Sequence, residues 1–499
     1  MLARWVDRGT SANLDSMAAP IGGWNTRDPI AQMPQKDAAR LRNLIADTNG
    51  VRLRNGYTEL CATGSSYVDF LKTFDTPFGP RLLAASSRAL YDITSGSAST
   101  IRSGFARDDW SAAIMNGRMG LVNGGDDPIF LVYGPVSGIT VQNMTLTGPV
   151  TPEAMRVIHI YKSRSYFATG DEPAFWYSEV NALGGTLTKF PIDRVSASGG
   201  NVIEVSSWTV DGGSGPDDYF VLFLNTGEAN VYQGDDPGDP DFWALVGRYQ
   251  AGKVVTTTQF AGSIHAITEV DYNTFPLDFQ NQGLRPPSKL SGAAKQAVKQ
   301  KGGLDRWQMI FVPNLGLRIV NVPQSVSTYH QHVLNLNNGA PSLWTDLNAT
   351  RWEVFKGELY FGDTAGKVNR YEGTSDNGAA ISWEMVTAPN RLGSDFEKNI
   401  LEYRSIVSGE GSLTEATGIG YDYNAPDFIQ EMTTEAIGTP WNTSPWNTSN
   451  WSEGPQTKNE WFSGTGSGQA VQYYSRGSVK GFTPIWHSID FLFELSDVH

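Results

Sequence analysis

Short apolar runs separated by glycine-containing turns recur along most of this chain. Within each run, apolar and polar residues alternate with a period near two, which is the pattern of half-buried β-strands rather than helices. The clearest copy is VFKGELYFGDTAGKVNRYEG, residues 354–373. Leu359-Tyr360-Phe361 predicts a strand, and Val368, Asn369, Arg370 and Tyr371 predict its partner. Gly362-Asp363-Thr364-Ala365-Gly366 between them predicts a turn, because glycine reaches positive φ at little cost and aspartate bonds its own backbone. Looser copies lie at 81–93, 119–133, 157–177, 219–232, 260–268 and 309–322. Their average spacing is about 45 residues, the length of a four-stranded propeller blade. A blade cannot bury both faces alone, so such repeats must close into a ring.

The chain is therefore expected to be all-β: a β-propeller of six or seven blades with an additional C-terminal β-sandwich-like domain. The expected boundaries are an extended N-terminal segment over 1–50, the propeller over 51–380, and a C-terminal β-rich domain over 381–499, where the strands lengthen. Residues 37–44 predict one or two helical turns capped by Asp37, with Leu41 and Leu44 facing inward. A strand near 51–60 is placed to close the ring against the last blade. An insertion at about 276–303 interrupts the repeat and carries a helix rich in Ala, Gln and Lys over 291–301.

Composition agrees with many strands and turns: among 499 residues there are 53 Gly, 26 Pro, 15 Trp, 19 Tyr and 23 Phe. No run of about 18 apolar residues predicts a membrane span, and the N-terminus lacks an apolar stretch of signal-peptide length, so synthesis in the cytosol is expected. One cysteine, Cys61, leaves no intrachain disulfide and reads as an ordinary buried small residue in a strand-like run. The formal charge of −14 argues against a surface that grips DNA, although an acidic wall suits a tube through which DNA must slide.

The sequence offers little chemistry. It contains no HExxH, GxSxG or GxxxxGK[ST] motif, and no catalytic, cofactor-binding or metal-binding residue is assigned. His330 and His332 share one face of a strand at metal-compatible spacing, but no further ligand lies near them in sequence. The acidic loops GDDPGDPD (234–241) and DGGSGPDD (211–218) are candidates for calcium, but neither has EF-hand spacing and both are explained as solvated turns. TGDEPAFW (169–176) lacks the glycine of a sialidase Asp-box and does not recur, so it reads as a turn. The candidate partner contacts are two. Lys295, Lys299 and Lys301 lie in the densest basic patch and suit either solvent or an acidic partner. Trp441, Trp446 and Trp451 lie in TPWNTSPWNTSNW, whose five-residue spacing suits neither a helix nor a strand face. They either dock outward or fold back on their own domain.

Several blocks resemble one family, the tail hub or nozzle (tail tubular) proteins of short-tailed bacteriophages. The resembling residues are Gly22-Gly23-Trp24-Asn25-Thr26-Arg27-Asp28-Pro29, Met33-Pro34, Asp37-Ala38, Leu41 and Gly50-Val51-Arg52-Leu53-Arg54-Asn55-Gly56-Tyr57. ELYFGDTAGKVNRYEG (358–373) is similar to a blade hairpin of that family, and residues 391–403 and 411–423 resemble the domain that follows. The likeness covers roughly 21–423, and the last 70 or so residues match nothing in it. It implies a non-enzymatic virion protein made in the host cytoplasm. Six copies would form a ring below the portal and adaptor, with fibres or spikes attached outside and DNA passing through the lumen without specific binding. A different reading of the same repeats is a carbohydrate-binding or glycan-cleaving propeller, which needs acidic pairs and aromatics at one mouth. A general propeller scaffold for protein partners is a third.

Overall fold

The computed structural model describes residues 12–148, 150–211, 216–280, 287–426, 429–434 and 456–496. It divides into two compact units: Met1–Thr58, His332–Thr345 and Glu372–His499 form one, and Glu59–Gln331 with Asp346–Tyr371 form the other.

The second unit is a β-propeller. Six blades are self-contained sheets, starting at Val68–Phe74, Ser111–Met115, Val157–Tyr161, Val202–Asp211, Val254–Phe260 and Ala349–Phe355. Five have four strands and the one from Val254 has three. The strands Gln308–Val312 and Leu317–Pro323 add a further wedge. Its first strand packs between Val254–Phe260 and Ala349–Phe355. The first strands of successive sheets contact one another almost all the way round, so they line the axis.

The expected hairpins form where the alternation placed them. Arg81–Ser86 pairs with Ala89–Asp92, Pro216–Leu224 with Glu228–Gly234, and Glu358–Asp363 with Lys367–Arg370. Several turns hold two residues at positive φ, such as Asn116-Gly117 and Lys356-Gly357, which matches the right-handed twist of the strands they join. Large side chains fill the space between blades. Phe70, Phe74 and Leu83 of the first blade meet Trp110, Met119 and Leu131 at the second. Tyr166 and Phe175 of the third meet Phe220 and Trp243 of the fourth, with Tyr166 and Phe220 ring centres 4.4 Å apart. Each such buried side chain contributes about 1.5–3 kcal/mol.

Ring closure comes from the N-terminal side, as expected, but by Thr58–Ala62, which adds as outer strand to Lys367–Arg370. Thr63 donates backbone and hydroxyl hydrogen bonds to the Gly366 carbonyl, and Lys367 pairs with Glu59 at 2.6 Å. Gly50–Leu53, expected in the same closing strand, belongs to the other unit and pairs there with Leu44–Asp47. The insertion contains the predicted helix, Ser291–Lys301, seated by Ser291, Ala294 and Val298.

The first unit is a sandwich. In one sheet the order is Gln456–Lys458, Lys398–Gly409, Ile485–Leu495, Gly50–Leu53, Leu44–Asp47, and Asn13–Ala18 also pairs with Ile485–Leu495. The facing strands are Asp37–Arg42, Ile381–Thr387, Val471–Val479 and Leu413–Tyr421. Their inner faces share one core, in which Trp383 meets Trp486 at 4.5 Å and Tyr403 meets Tyr473 at 6.1 Å between ring centres. The helix expected over 37–44 is absent. Asp37–Arg42 and Leu44–Asp47 are strands, because Asp37–Arg42 pairs in parallel with Gly23-Trp24 and antiparallel with Ile381–Thr387. Those partners are distant in sequence and override the local helical preference. The unit boundaries also differ from 1–50, 51–380 and 381–499: the N-terminal strands and 332–345 fold with the C-terminal domain.

Candidate functional site

The N-terminal block, residues 22–57, is a polar framework inside the sandwich unit. Asn25 donates from Nδ2 to Asp28 and to the fully buried Asp37, both at 2.8 Å, while its Oδ1 accepts from the backbone of Arg27 and Asp28. Gly22 is needed because a Cβ there would lie 2.0 Å from Asp37 Oδ1, and at Gly56 it would lie 2.0 Å from the Ser375 carbonyl. Arg54, buried to 1 % exposure, forks onto Asp376 at 2.7 and 2.8 Å and donates from Nε to Asn43 at 3.0 Å. These residues hold chain segments together and present no reactive group to a ligand.

A charged cleft with a volume of about 530 Å³ lies in the propeller. It lies where four axis-lining strands begin: Asp69 opens Val68–Phe74, Asp108 and Asp109 precede Ser111–Met115, Arg306 precedes Gln308–Val312, and Arg351 opens Ala349–Phe355. It is thus one axial mouth. Arg306 forks onto Asp69, with Nη2 to Oδ2 at 3.1 Å, and stacks over Tyr67 at 4.3 Å. Arg107 forks onto Asp109 at 2.9 and 2.8 Å. The loop carrying Arg107 is fixed by Asp126, which accepts from the backbone N–H groups of Ala106 and Arg107. Burial raises the Asp108 carboxyl above its ordinary range, despite the hydrogen bond it takes from the Arg88 backbone N–H at 2.8 Å. Burial lowers the Arg351 guanidinium.

A second cleft of about 380 Å³ lies toward the other end of the axis, lined by Tyr161, Lys162, Asp218, Gln259 and Phe260. Between the mouths, two half-buried groups on neighbouring axis-lining strands are strongly desolvated. Burial pushes His159 down to about 4 and Glu204 up to about 7. His159 Nε2 meets Ser207 Oγ at 3.2 Å.

The sequence singled out none of the first mouth. A signal existed: a polar or charged pair followed by tryptophan, at Asp108-Asp109-Trp110, Asp305-Arg306-Trp307 and Thr350-Arg351-Trp352. Each tryptophan is buried near the start of an axis-lining strand, and the charged residues before it, Asp108, Asp109, Asp305, Arg306 and Arg351, line the mouth.

The singled-out residues are placed elsewhere. Lys295 and Lys299 project, one turn apart, from the exposed face of Ser291–Lys301, and Lys301 is half-buried at its end. Trp441, Trp446 and Trp451 lie outside the described residues. His332 is buried edge-on to Trp24, with ring centres 5.5 Å apart. In the loop 234–241, Asp236 pairs with Arg164 at 3.1 Å and accepts from the Gly238 N–H, so its carboxylate is spent on the turn and its neighbour. Of the loop 211–218, the residues 212–215 lie outside the described residues, and Asp218 accepts from the Thr209 hydroxyl at 2.6 Å. Burial lifts the Cys61 thiol to about 11, the opposite of an activated nucleophile. Among the described residues no group of three or more His, Cys, Asp or Glu side chains is arranged to hold a metal ion, and no helix is long and apolar enough to cross a membrane.

No protein-family model matches the sequence, and no curated protein matches it. Solved structures match in shape. Saccharomyces cerevisiae Sqt1 aligns over 64 % of this chain and 99 % of its own at 8 % identity, with a TM-score of 0.38. YCF48 bound to D1 peptide aligns over 64 % and 95 % at 11 % identity and a TM-score of 0.40. The β-propeller domain of Myceliophteria thermophila Cps50 (Swd1) aligns over 62 % and 98 % at 10 % identity and a TM-score of 0.40. At such identities the likeness concerns the fold alone.

Proposed function

We propose that the chain is a structural protein of a bacteriophage tail, one subunit of a hexameric nozzle or hub ring around the DNA exit channel. In this reading it sits below the portal and adaptor and anchors fibres or spikes. The observation that carries the proposal is the likeness of the N-terminal block, from Gly22 to Tyr57, to the opening of nozzle proteins. Its glycines and polar residues interlock at contact distance in the sandwich unit, so a likeness at these positions is a likeness of architecture. The charge of −14 adds support, since an acidic lumen would let DNA slide without counterion-releasing contacts.

The mechanism is steric and electrostatic, and assigns no catalytic residue. Lys295, Lys299 and Lys301, with Trp441, Trp446 and Trp451, are proposed as contacts to neighbouring tail proteins. Electron microscopy of particles bearing this chain tests the proposal, with six-fold rings on a tail axis as the expected result. A monodisperse monomer by light scattering, both alone and mixed with its neighbouring tail proteins, would overturn it. A glycan-directed propeller is the weaker reading, because neither cleft lining joins an acidic pair to aromatic walls: the charged mouth has acids and no aromatic side chain, and the second cleft has Tyr161 and Phe260 with one acid, Asp218.

A further inference from the structure

The charged axial mouth holds charge that the fold leaves unspent. Its four aspartates and four arginines balance in number. Two pairs neutralise each other, Arg306 with Asp69 and Arg107 with Asp109. Asp108 and Arg351 do not. Asp108 Oδ2 takes one backbone N–H, while its Oδ1 is shielded from solvent and accepts no hydrogen bond. Leaving such an oxygen unpaired is costly. Arg351 donates from Nε to the Asp69 carbonyl at 2.8 Å and from Nη1 to the Trp307 carbonyl at 3.5 Å. Both acceptors are neutral, and among the described residues no carboxylate forms an ion pair with Arg351. Exposed Arg88 and Asp305 extend the same two signs around the rim.

This combination narrows the ligand. Four arginines disfavour a metal cation, and four aspartates disfavour a phosphate or a nucleic-acid backbone. The lack of aromatic walls disfavours a sugar or base. What remains is a group that carries both signs. The volume of about 530 Å³ lies in the range of ligand sites and exceeds what one amino acid fills. We propose that this mouth binds a peptide segment of a protein partner that presents one basic and one acidic side chain, the basic group on Asp108 and the acidic group on Arg351. A guanidinium or ammonium group would pair with the Asp108 carboxylate, and a carboxylate would take the remaining donors of Arg351 as charge-assisted bonds. The site lies wholly within the propeller, so the inference does not rest on ring assembly.

The test is calorimetric titration of the full chain with the blocked peptide acetyl-Arg-Gly-Glu-amide, using acetyl-Gln-Gly-Gln-amide as the uncharged probe. Saturable binding of the charged peptide alone is expected, weakening about tenfold or more in Asp108→Asn and in Arg351→Gln and weakening at higher salt. Arg88→Gln changes only an exposed rim charge and serves if either of those half-buried variants fails to fold; it should weaken binding several-fold. Exposed Arg391→Gln, in the other unit, should bind as wild type does. Equal binding of the two peptides, no binding of the charged one, or unchanged affinity in the mouth variants would each overturn the proposal.

Discussion

The sandwich core and the axis of the propeller treat desolvated charge differently. In the sandwich each buried ion has its partners within reach. Arg54 has Asp376 and Asn43, and the fully buried Lys398 donates to the carbonyls of Ser394, Phe396 and Gln469 at 2.5, 2.7 and 2.9 Å. Glu415 takes hydroxyl hydrogen bonds from Ser405 on the facing sheet and Ser475 on its own, at 2.7 and 3.0 Å. In the propeller, among the described residues, Asp108 and Arg351 at the axial mouth form no ion pair, and His159 and Glu204 line the axis with none either. Charge that is satisfied internally specifies a fold. Charge left over at a concave mouth is available to something outside the chain.

The strongest way to break this comparison is to remove one arginine from each unit. Arg54→Met would leave Asp376 and Asn43 without their partner in a buried site, and should cost about 3–5 kcal/mol of stability in denaturant titration. Arg351→Met removes a desolvated cation that forms no ion pair; relief of its desolvation offsets the hydrogen bonds lost at two carbonyls, and stability should change by under about 1 kcal/mol. Similar losses at the two positions would erase the distinction. Next in size, Lys398→Met removes the donor of three part-buried carbonyls and should cost about 1–3 kcal/mol.

The axis-lining pair predicts a pH dependence. His159 titrates near 4 in the folded chain, below its ordinary value near 6.5, so its contribution to stability is present above pH 6.5 and lost as pH falls toward 4. Glu204 titrates near 7, above its ordinary 4.5, so its contribution is present below pH 4.5 and lost as pH rises toward 7. The two oppose each other between pH 4.5 and 6.5. His159→Asn should therefore make the propeller more acid-tolerant, and Glu204→Gln should flatten the loss of stability toward neutral pH, both read as thermal midpoint against pH. Unchanged profiles would mean that the axis is not desolvated. The smallest expected effect is at Arg391, paired with Asp395 on the open surface, where Arg391→Gln should leave the sandwich transition where it was.

The repeats were legible because each hairpin is a local event. Leu359-Tyr360-Phe361, its glycine turn and Val368 lie within a few residues of one another, and the same holds at 219–232. The helix expected over 37–44 failed because the partners of Asp37–Arg42 come from Ile381–Thr387, which no local pattern announces. The mouth was not legible for the same reason: Asp108, Arg306 and Arg351 sit at the starts of three different axis-lining strands. Only the recurring tryptophan after a polar or charged pair hinted at them.

By itself, then, the sequence determined that the chain is β-rich and that its hairpins repeat, since alternation and turn chemistry act over short spans. The tertiary structure alone decided that the N-terminal strands join the C-terminal sandwich, and which charges meet at the axis. Strand partners and inter-blade neighbours are chosen by burial across long sequence separations, and the energy that selects them appears only once the sheets have assembled.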